Sequence, residues 1–122
     1  SELAARLNER YGGSRTRGGV SAEAELPAAS GLIHATPTGM DKLPGLPLPA
    51  ELLHRRLWVS EIVYFPLETA LLKAARERGC AVSDGGGMAV GQAVGAFELF
   101  TGRAANAERV DAHFRQLVAG RA

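Results

Sequence analysis

Three short and mainly apolar runs along this chain are typical of buried strands. The first run, GLIHA at 31–35, lies between Ser-Gly and Thr-Pro pairs, which bound strands because they favour turns. The second, LWVSEIVYF at 57–65, is rich in β-branched and aromatic residues, which favour strands. Pro66 should end it. A third, shorter strand is predicted at 80–83.

Apolar residues recur every three or four positions elsewhere, which predicts helices. The clearest are segments 1–10 and 67–78, followed by an apolar segment, 87–102, that a glycine turn precedes. Asn106 is a suitable N-cap for a last helix. The stripe of apolar residues on that helix consists of Val110, Phe114, Leu117 and Val118.

Three weaker patterns complete the assignment. Residues 15–20 are expected to form a short edge strand, and residues 21–29 a turn or two of helix limited by Pro27. Residues 50–54 are expected to form one helical turn, and the proline-dense segment 36–49 a long irregular loop.

Strands that alternate with helices predict an α/β fold, with a parallel sheet and right-handed crossovers. Ligands bind such sheets outside the carboxyl ends of the strands. Three loops, 35–40, 64–66 and 84–87, should therefore gather on one rim of the sheet. That rim is the expected binding site.

The glycine turn, Gly85-Gly86-Gly87, is sterically open and leads into a helix. Unpaired N–H groups at a helix start can hold a polar or anionic ligand, although a plain flexible loop fits the same residues. The turn matches neither a Walker loop nor a GxGxxG motif. Gln92 lies on the apolar helix after the turn. Burying its amide without a hydrogen-bond partner would cost about 1–3 kcal/mol of folding stability. It is expected either to bind a backbone carbonyl or to present its amide to a polyhydroxylated ligand.

Composition narrows the class of protein only moderately. The chain of 122 residues is long enough for one domain or part of one, and its net charge of +1 gives no argument for binding nucleic acid or a membrane. The single cysteine, Cys80, is expected to be a small buried strand residue, which suits a reducing cytoplasm.

The sequence gives little support for a metal site, a catalytic triad or a pair of catalytic carboxylates. The histidines His34, His54 and His113 form no metal-ligand spacing with Cys or Asp. His34 ends a strand, where it could touch a ligand or be a satisfied core residue, whereas the other two resemble exposed helix residues. No catalytic triad or glycosidase carboxylate pair can be assigned.

Three segments together carry a resemblance to a known family. They are GLIHATPTGM (31–40), WVSEIVYFPLETALLKAARERGC (58–80) and SDGGGMAVGQAVGAFELFTG (83–102). In order and spacing they resemble the C-terminal half of shikimate dehydrogenases, and most of all the quinate/shikimate subgroup. The resemblance implies an incomplete three-layer Rossmann-type parallel sheet that binds NADP or NAD. The implied reaction is reversible hydride transfer between nicotinamide and the ring carbonyl of 3-dehydroshikimate, or of dehydroquinate in the subgroup.

The resemblance also implies roles for individual residues. Tyr64 matches a tyrosine on the substrate carboxylate side, and Gln92 matches a glutamine that binds a substrate hydroxyl. The family usually has asparagine where this chain has His34. The positions that match cofactor-binding ones are Ala35, Thr36, Pro37, Ile62, Gly85 and Met88.

Several parts of such an enzyme have no match in this sequence. The family carries its catalytic lysine in an N-terminal substrate domain, and neither Lys42 nor Lys73 matches it. The diphosphate loop and the segment that chooses between NAD and NADP are also absent, so cofactor and substrate choice stay open. Residues 1–102 are expected to be a partial Rossmann domain, and residues 103–122 a helix that packs back on the enzyme. The alternative is a non-catalytic module that pairs with another chain, and a homodimer would be one form of it.

Overall fold

The computed structural model describes residues 1–120 and has an α/β architecture. The first two strands are joined by a long loop that contains one turn of 3₁₀ helix, Ala50–Leu52, and an α-helix connects the second strand to the third; another 3₁₀ turn lies at Leu26–Ala28. The elements in chain order are α1 (Glu2–Tyr11), α2 (Ala22–Glu25), β1 (Gly31–His34), β2 (Trp58–Glu61), α3 (Ala70–Glu77), β3 (Ala81–Ser83), α4 (Gly86–Thr101) and α5 (Ala107–Ala119).

The strands form a parallel sheet in the order β1-β2-β3. Gly31 pairs with Trp58 and His34 with Glu61, while Ser60 pairs with Ser83. The predicted parallel α/β fold is therefore confirmed. Because all three strands run the same way, their carboxyl ends lie at one edge of the sheet.

The core lies between β2 and α3. Leu71, Leu72 and Ala75 of α3 are all fully buried, and they are spaced as one face of a helix requires. Thr69 caps this helix by accepting the N–H of Leu72 at 3.3 Å. Cys80 is buried as expected, and burial raises the pKa of its thiol. This packing makes α3 a fixed support for the end of β2.

Helices α4 and α5 pack against each other beside the sheet. Asn106 caps α5, as predicted, by accepting the N–H of Arg109 at 2.8 Å. Arg115 of α5 lies 2.9 Å from a carboxylate oxygen of Asp111 and 3.5 Å from one of Asp84. Its hydrogen bond to Asp111, and the charges of Asp111 and Asp84, raise the pKa of its guanidinium. The pair with Asp111 lies within α5, whereas the pair with Asp84 joins α5 to the residue that follows β3.

Three local predictions from the sequence were wrong. Residues 15–20 form no strand, because Asn8 of α1 binds the segment instead: its side chain bonds both the N–H and the carbonyl of Thr16, at 2.9 and 2.8 Å. The second strand ends at Glu61 rather than at 65. The next helix begins at Ala70 rather than 67, since Thr69 is its N-cap.

None of the helices in residues 1–120 has the length and hydropathy that a bilayer crossing requires.

Candidate functional site

An open groove of about 510 Å³ lies at the carboxyl edge of the sheet. It is formed by the chain that leaves β1 and by the chain that leaves β2. The residues that line it are Ala35, Thr36, Pro37, Met40, Ile62, Val63, Tyr64 and Phe65. Five of the eight residues predicted for the site are in this lining.

The end of β2 is held by the carboxylate of Glu61, which is 2% exposed. Its Oε1 accepts the backbone N–H of Val63 at 3.0 Å and lies 2.8 Å from Nδ1 of His34. Its Oε2 accepts the hydroxyl of Thr69 at 3.0 Å. A buried carboxylate is tolerated when its oxygens are bonded in this way. The bond to Val63 bends the chain out of the sheet and places the next residues along the groove.

His34 is a core residue and is not itself part of the groove lining. It is 5% exposed, and both ring nitrogens have partners: Glu61 at Nδ1, and the hydroxyl of Thr36 at Nε2, 2.5 Å away. Of the two interpretations of His34 that the sequence left open, the satisfied core residue is correct. Its link to the groove runs through Thr36, which is exposed.

Tyr64 stands at the wall between the groove and α5. It is 48% exposed, and its ring packs against Phe114 with centroids 6.4 Å apart and planes inclined by 57°. Such a tilted pair is a favourable aromatic geometry. One face of Tyr64 is therefore fixed by α5, while the residue still lines the groove.

Gly85 lies behind the groove, where α4 begins. A Cβ built on it would lie 2.5 Å from the carbonyl oxygen of Val63 and 2.7 Å from that of Ile62. Real Cβ atoms do not approach carbonyl oxygens so closely. The glycine is thus required by the contact between two stretches of this chain, and its role toward a cofactor stays a prediction.

Replacing Gly85 with alanine is expected to lower the free energy of unfolding by about 1–3 kcal/mol, the usual cost of overpacking. The added methyl must push the backbone at 62–63 away from α4. Urea denaturation of the variant measures the effect. Gly87→Ala is the matched control, because a Cβ there meets no atom of the described residues within 4 Å and alanine favours a helix. Equal loss of stability in both variants would contradict the close contact between Gly85 and the chain at 62–63.

Gln92 and Met88 lie on α4 and do not line the groove. Gln92 is exposed, so its amide is solvated and carries no penalty for burial without a partner. Their predicted contacts with substrate and cofactor stay predictions.

Sequence reasoning missed the two residues that hold the rim, Glu61 and Thr69. The signal was present, since a lone glutamate interrupts the apolar run 57–65, and a charge in a buried strand needs partners. His54 was also misjudged as exposed. Its Nε2 donates to the carbonyl of Leu26 at 3.0 Å, and its Nδ1 is buried without a partner among the described residues.

Within residues 1–120, no group of three or more His, Cys, Asp or Glu side chains could hold a metal ion. The site is thus defined by the shape of the groove, by its largely apolar walls and by two hydroxyl groups, those of Thr36 and Tyr64.

A parallel α/β sheet with a groove at its carboxyl edge is the arrangement in which open α/β proteins, the Rossmann type among them, bind their ligands. The family model described as Shikimate 5'-dehydrogenase C-terminal domain matches residues 85–112. The chain is also similar to shikimate dehydrogenase (NADP(+)) of Streptomyces avermitilis, with 54% identity over 119 residues. It belongs to the shikimate dehydrogenase family and corresponds to the C-terminal portion of its members.

Other relatives agree with this assignment. Quinate/shikimate dehydrogenase (NAD(+)) of Corynebacterium efficiens is 46% identical over 95 residues, which are 78% of this chain and 34% of the relative. Quinate dehydrogenase from Corynebacterium glutamicum, solved in complex with NAD, superposes with a TM-score of 0.80 and 41% identity. Shikimate 5-dehydrogenase from Thermus thermophilus, solved in complex with NADP(H) and shikimate, superposes with a TM-score of 0.74 and is 31% identical in sequence.

The matches cover nearly all of this chain but less than half of each relative. The match to the Streptomyces protein covers 94% of this chain and 40% of that protein. Both of these solved structures are matched over 94% of this chain and 42% of their own length. Activity, substrate and cofactor are therefore proposed for a longer protein that contains this chain.

Proposed function

We propose that this chain is the C-terminal cofactor-domain portion of an NAD(P)-dependent shikimate or quinate/shikimate dehydrogenase. The reaction is reversible hydride transfer between nicotinamide and the ring carbonyl of 3-dehydroshikimate, or of dehydroquinate. The observation that carries the proposal is the groove at the carboxyl edge of the sheet, which brings together Ala35, Thr36, Pro37, Ile62 and Tyr64. The resemblance of the sequence to the family predicts these five as cofactor and substrate positions.

The lining of the groove fits a nicotinamide ring with its ribose. The walls are mostly apolar, with Pro37, Met40 and Ile62 among them, and the flat faces of a planar ring can pack against such walls. The hydroxyl of Thr36 can bond a polar group of the ligand. The reduced cofactor, NADH or NADPH, would supply the hydride and the oxidised form would accept it in the reverse direction, while this chain would orient the ring and exclude water from one face.

Tyr64 is proposed to contact the substrate on its carboxylate side, and Gln92 to bind one of its hydroxyl groups. Support for Tyr64 comes from its place in the groove and from the packing of its ring on Phe114, which fixes its direction. Gln92 is exposed and can meet a ligand. Gly85 and Met88 are proposed to lie near the cofactor at the start of α4. The division into a partial Rossmann domain, 1–102, and a C-terminal helix, 103–122, is part of the same proposal.

The test is an assay of the polypeptide that contains this chain, expressed with all that its reading frame encodes on either side. We expect NAD(P)-dependent oxidation of shikimate, of quinate or of both, followed as absorbance of the reduced cofactor. Tyr64→Phe should raise KM for the hydroxy acid about fivefold, the value of one hydrogen bond, and leave KM for the cofactor unchanged. A folded protein inactive on both acids with both cofactors would refute the proposal.

The second candidate is a non-catalytic module that pairs with another chain, including a second copy of itself. The observation that favours it is the surface of α4, where Leu99 is 86% and Phe100 89% exposed. Exposed aromatic and aliphatic side chains of this kind mark interaction surfaces. Sedimentation of the purified polypeptide, together with the oxidation assay, separates a dimer with activity from a dimer without it.

A cytoplasmic location is proposed with the enzyme. The support comes from Cys80, the one cysteine of the sequence. It is a free and buried thiol, which suits a reducing compartment.

A further inference from the structure

A chain of hydrogen bonds runs from the core of the protein to the groove. It starts at Thr69, passes through the carboxylate of Glu61 and the ring of His34, and ends at the hydroxyl of Thr36. The first three residues are buried, and Thr36 is exposed in the groove lining. We refer to these four residues as the relay.

The direction of each proton in the relay is set by the partners. The hydroxyl of Thr69 accepts the N–H of Leu72, so its own proton goes to Oε2 of Glu61. The N–H of Val63 goes to Oε1. An ionised carboxylate only accepts hydrogen bonds, and the Nδ1 of His34 must therefore carry a proton and donate it to Glu61.

The polarity of the groove is a consequence of this tautomer. In a neutral imidazole with its proton on Nδ1, Nε2 is an acceptor. In that tautomer the hydroxyl of Thr36, 2.5 Å from Nε2, would donate to the ring, and its oxygen would present only lone pairs toward the groove. A hydroxyl without this link could rotate and either donate or accept.

We propose that the relay makes Thr36 a hydrogen-bond acceptor in the groove, so that it selects a donor on the ligand. Glu61 and His34 are positioning residues, and Thr36 is the residue that contacts the ligand. This inference rests on the proposed function, under which the donor is a ribose hydroxyl or the amide N–H of the nicotinamide nucleotide. The same polarity excludes Thr36 as a donor to phosphate oxygens.

The first experiment needs no ligand. The polypeptide that contains this chain is labelled with ¹⁵N-histidine, and NMR at neutral pH identifies which ring nitrogen of His34 carries the proton. His34→Gln assigns the signal by its loss, and His113→Gln, at an exposed position, should leave it in place. We expect a proton on Nδ1 and none on Nε2. A proton on Nε2, alone or on both nitrogens, would overturn the proposal.

The second experiment measures dinucleotide binding by Thr36→Val and Thr36→Ser. Valine keeps the shape but removes the oxygen, and binding of the preferred dinucleotide should weaken about fivefold, the value of a hydrogen bond of ~1 kcal/mol. Serine keeps the hydroxyl and should bind as the unmodified protein does. Unchanged binding by Thr36→Val would also overturn the proposal.

Inorganic diphosphate serves as a probe for the opposite polarity. We expect the inhibition constant of diphosphate, measured in competition with the dinucleotide, to be the same in the unmodified protein and in Thr36→Val. A larger inhibition constant in the valine variant would show that Thr36 donates to phosphate, contrary to the proposal. A protein that binds no dinucleotide at all would refute the proposed function instead, and the histidine tautomer would then decide the polarity by itself.

Discussion

Glu61→Ala is expected to lower the free energy of unfolding by about 3–5 kcal/mol, because three buried hydrogen-bond donors lose their acceptor. The carboxylate binds three donors in the core, namely the ring of His34, the N–H of Val63 and the hydroxyl of Thr69. Alanine leaves all three without their acceptor, and each unsatisfied group costs about 1–3 kcal/mol. Urea denaturation of the polypeptide that contains this chain is the measurement.

Two further variants show whether the loss comes from the network. Glu61→Gln keeps the volume and one carbonyl oxygen, so its stability should lie between those of the alanine variant and the unmodified protein. Glu68→Ala removes a carboxylate that pairs with Arg76 at the surface, and exposed pairs contribute about 0–1 kcal/mol. If Glu61→Ala were as mild as Glu68→Ala, the carboxylate would not hold the rim.

The parallel sheet could be predicted because its signals are local. The run 31–35 has turn residues on both sides, and strands that alternate with helices admit few topologies. The N-cap at Asn106 could also be predicted from the sequence, because a single side chain accepts a free N–H group at the start of the helix. In each case neighbouring residues decide the structure.

The length of the second strand could not be predicted by the same means. Residues 62–65 are as apolar and aromatic as a strand, but the strand ends at Glu61. The N–H of Ile62 still bonds the carbonyl of His34, whereas the N–H of Val63 bonds the carboxylate of Glu61 instead of a neighbouring strand. Ile62 and Tyr64 are partly exposed there, where they form a wall of the groove. An apolar run indicates that residues avoid water, and a groove wall meets that condition as well as a strand does.

The candidate site was predictable where topology alone places residues. Ala35 to Pro37 and Tyr64 follow adjacent parallel strands, and such loops meet at one edge. Ile62 was predicted to lie within the second strand, and only the resemblance to the family placed it in the site. Gln92 is a different case, since its direction depends on how α4 is rotated. That helix is apolar on nearly every side, with only Gly86 and Val90 buried, and a pattern without a polar face does not say which side is covered.

The 122-residue chain alone is expected to show no detectable turnover of shikimate or quinate, with either NAD or NADP. Hydride transfer to a ring carbonyl also requires a proton for the new hydroxyl, and a positioned acid or base contributes about 10²–10⁴-fold to such a step. Among residues 1–120, those that line the groove include no carboxylate, imidazole or amine, and Tyr64 is their one ionisable side chain. Lys42 and Lys73 are both exposed and are not part of that lining.

The prediction is tested by comparing the activity of the chain alone with that of the polypeptide that contains it. Circular dichroism must first show that the chain alone is folded. Dinucleotide binding is then measured on both, and we expect weak binding by the chain alone, because the loop that holds the diphosphate has no counterpart in its sequence. A folded chain that reduced dehydroshikimate with NADPH or NADH would show that Tyr64, or another group of this chain, supplies the proton. The assignment of acid–base chemistry to residues outside it would then be wrong, while the groove as the place of hydride transfer would gain support.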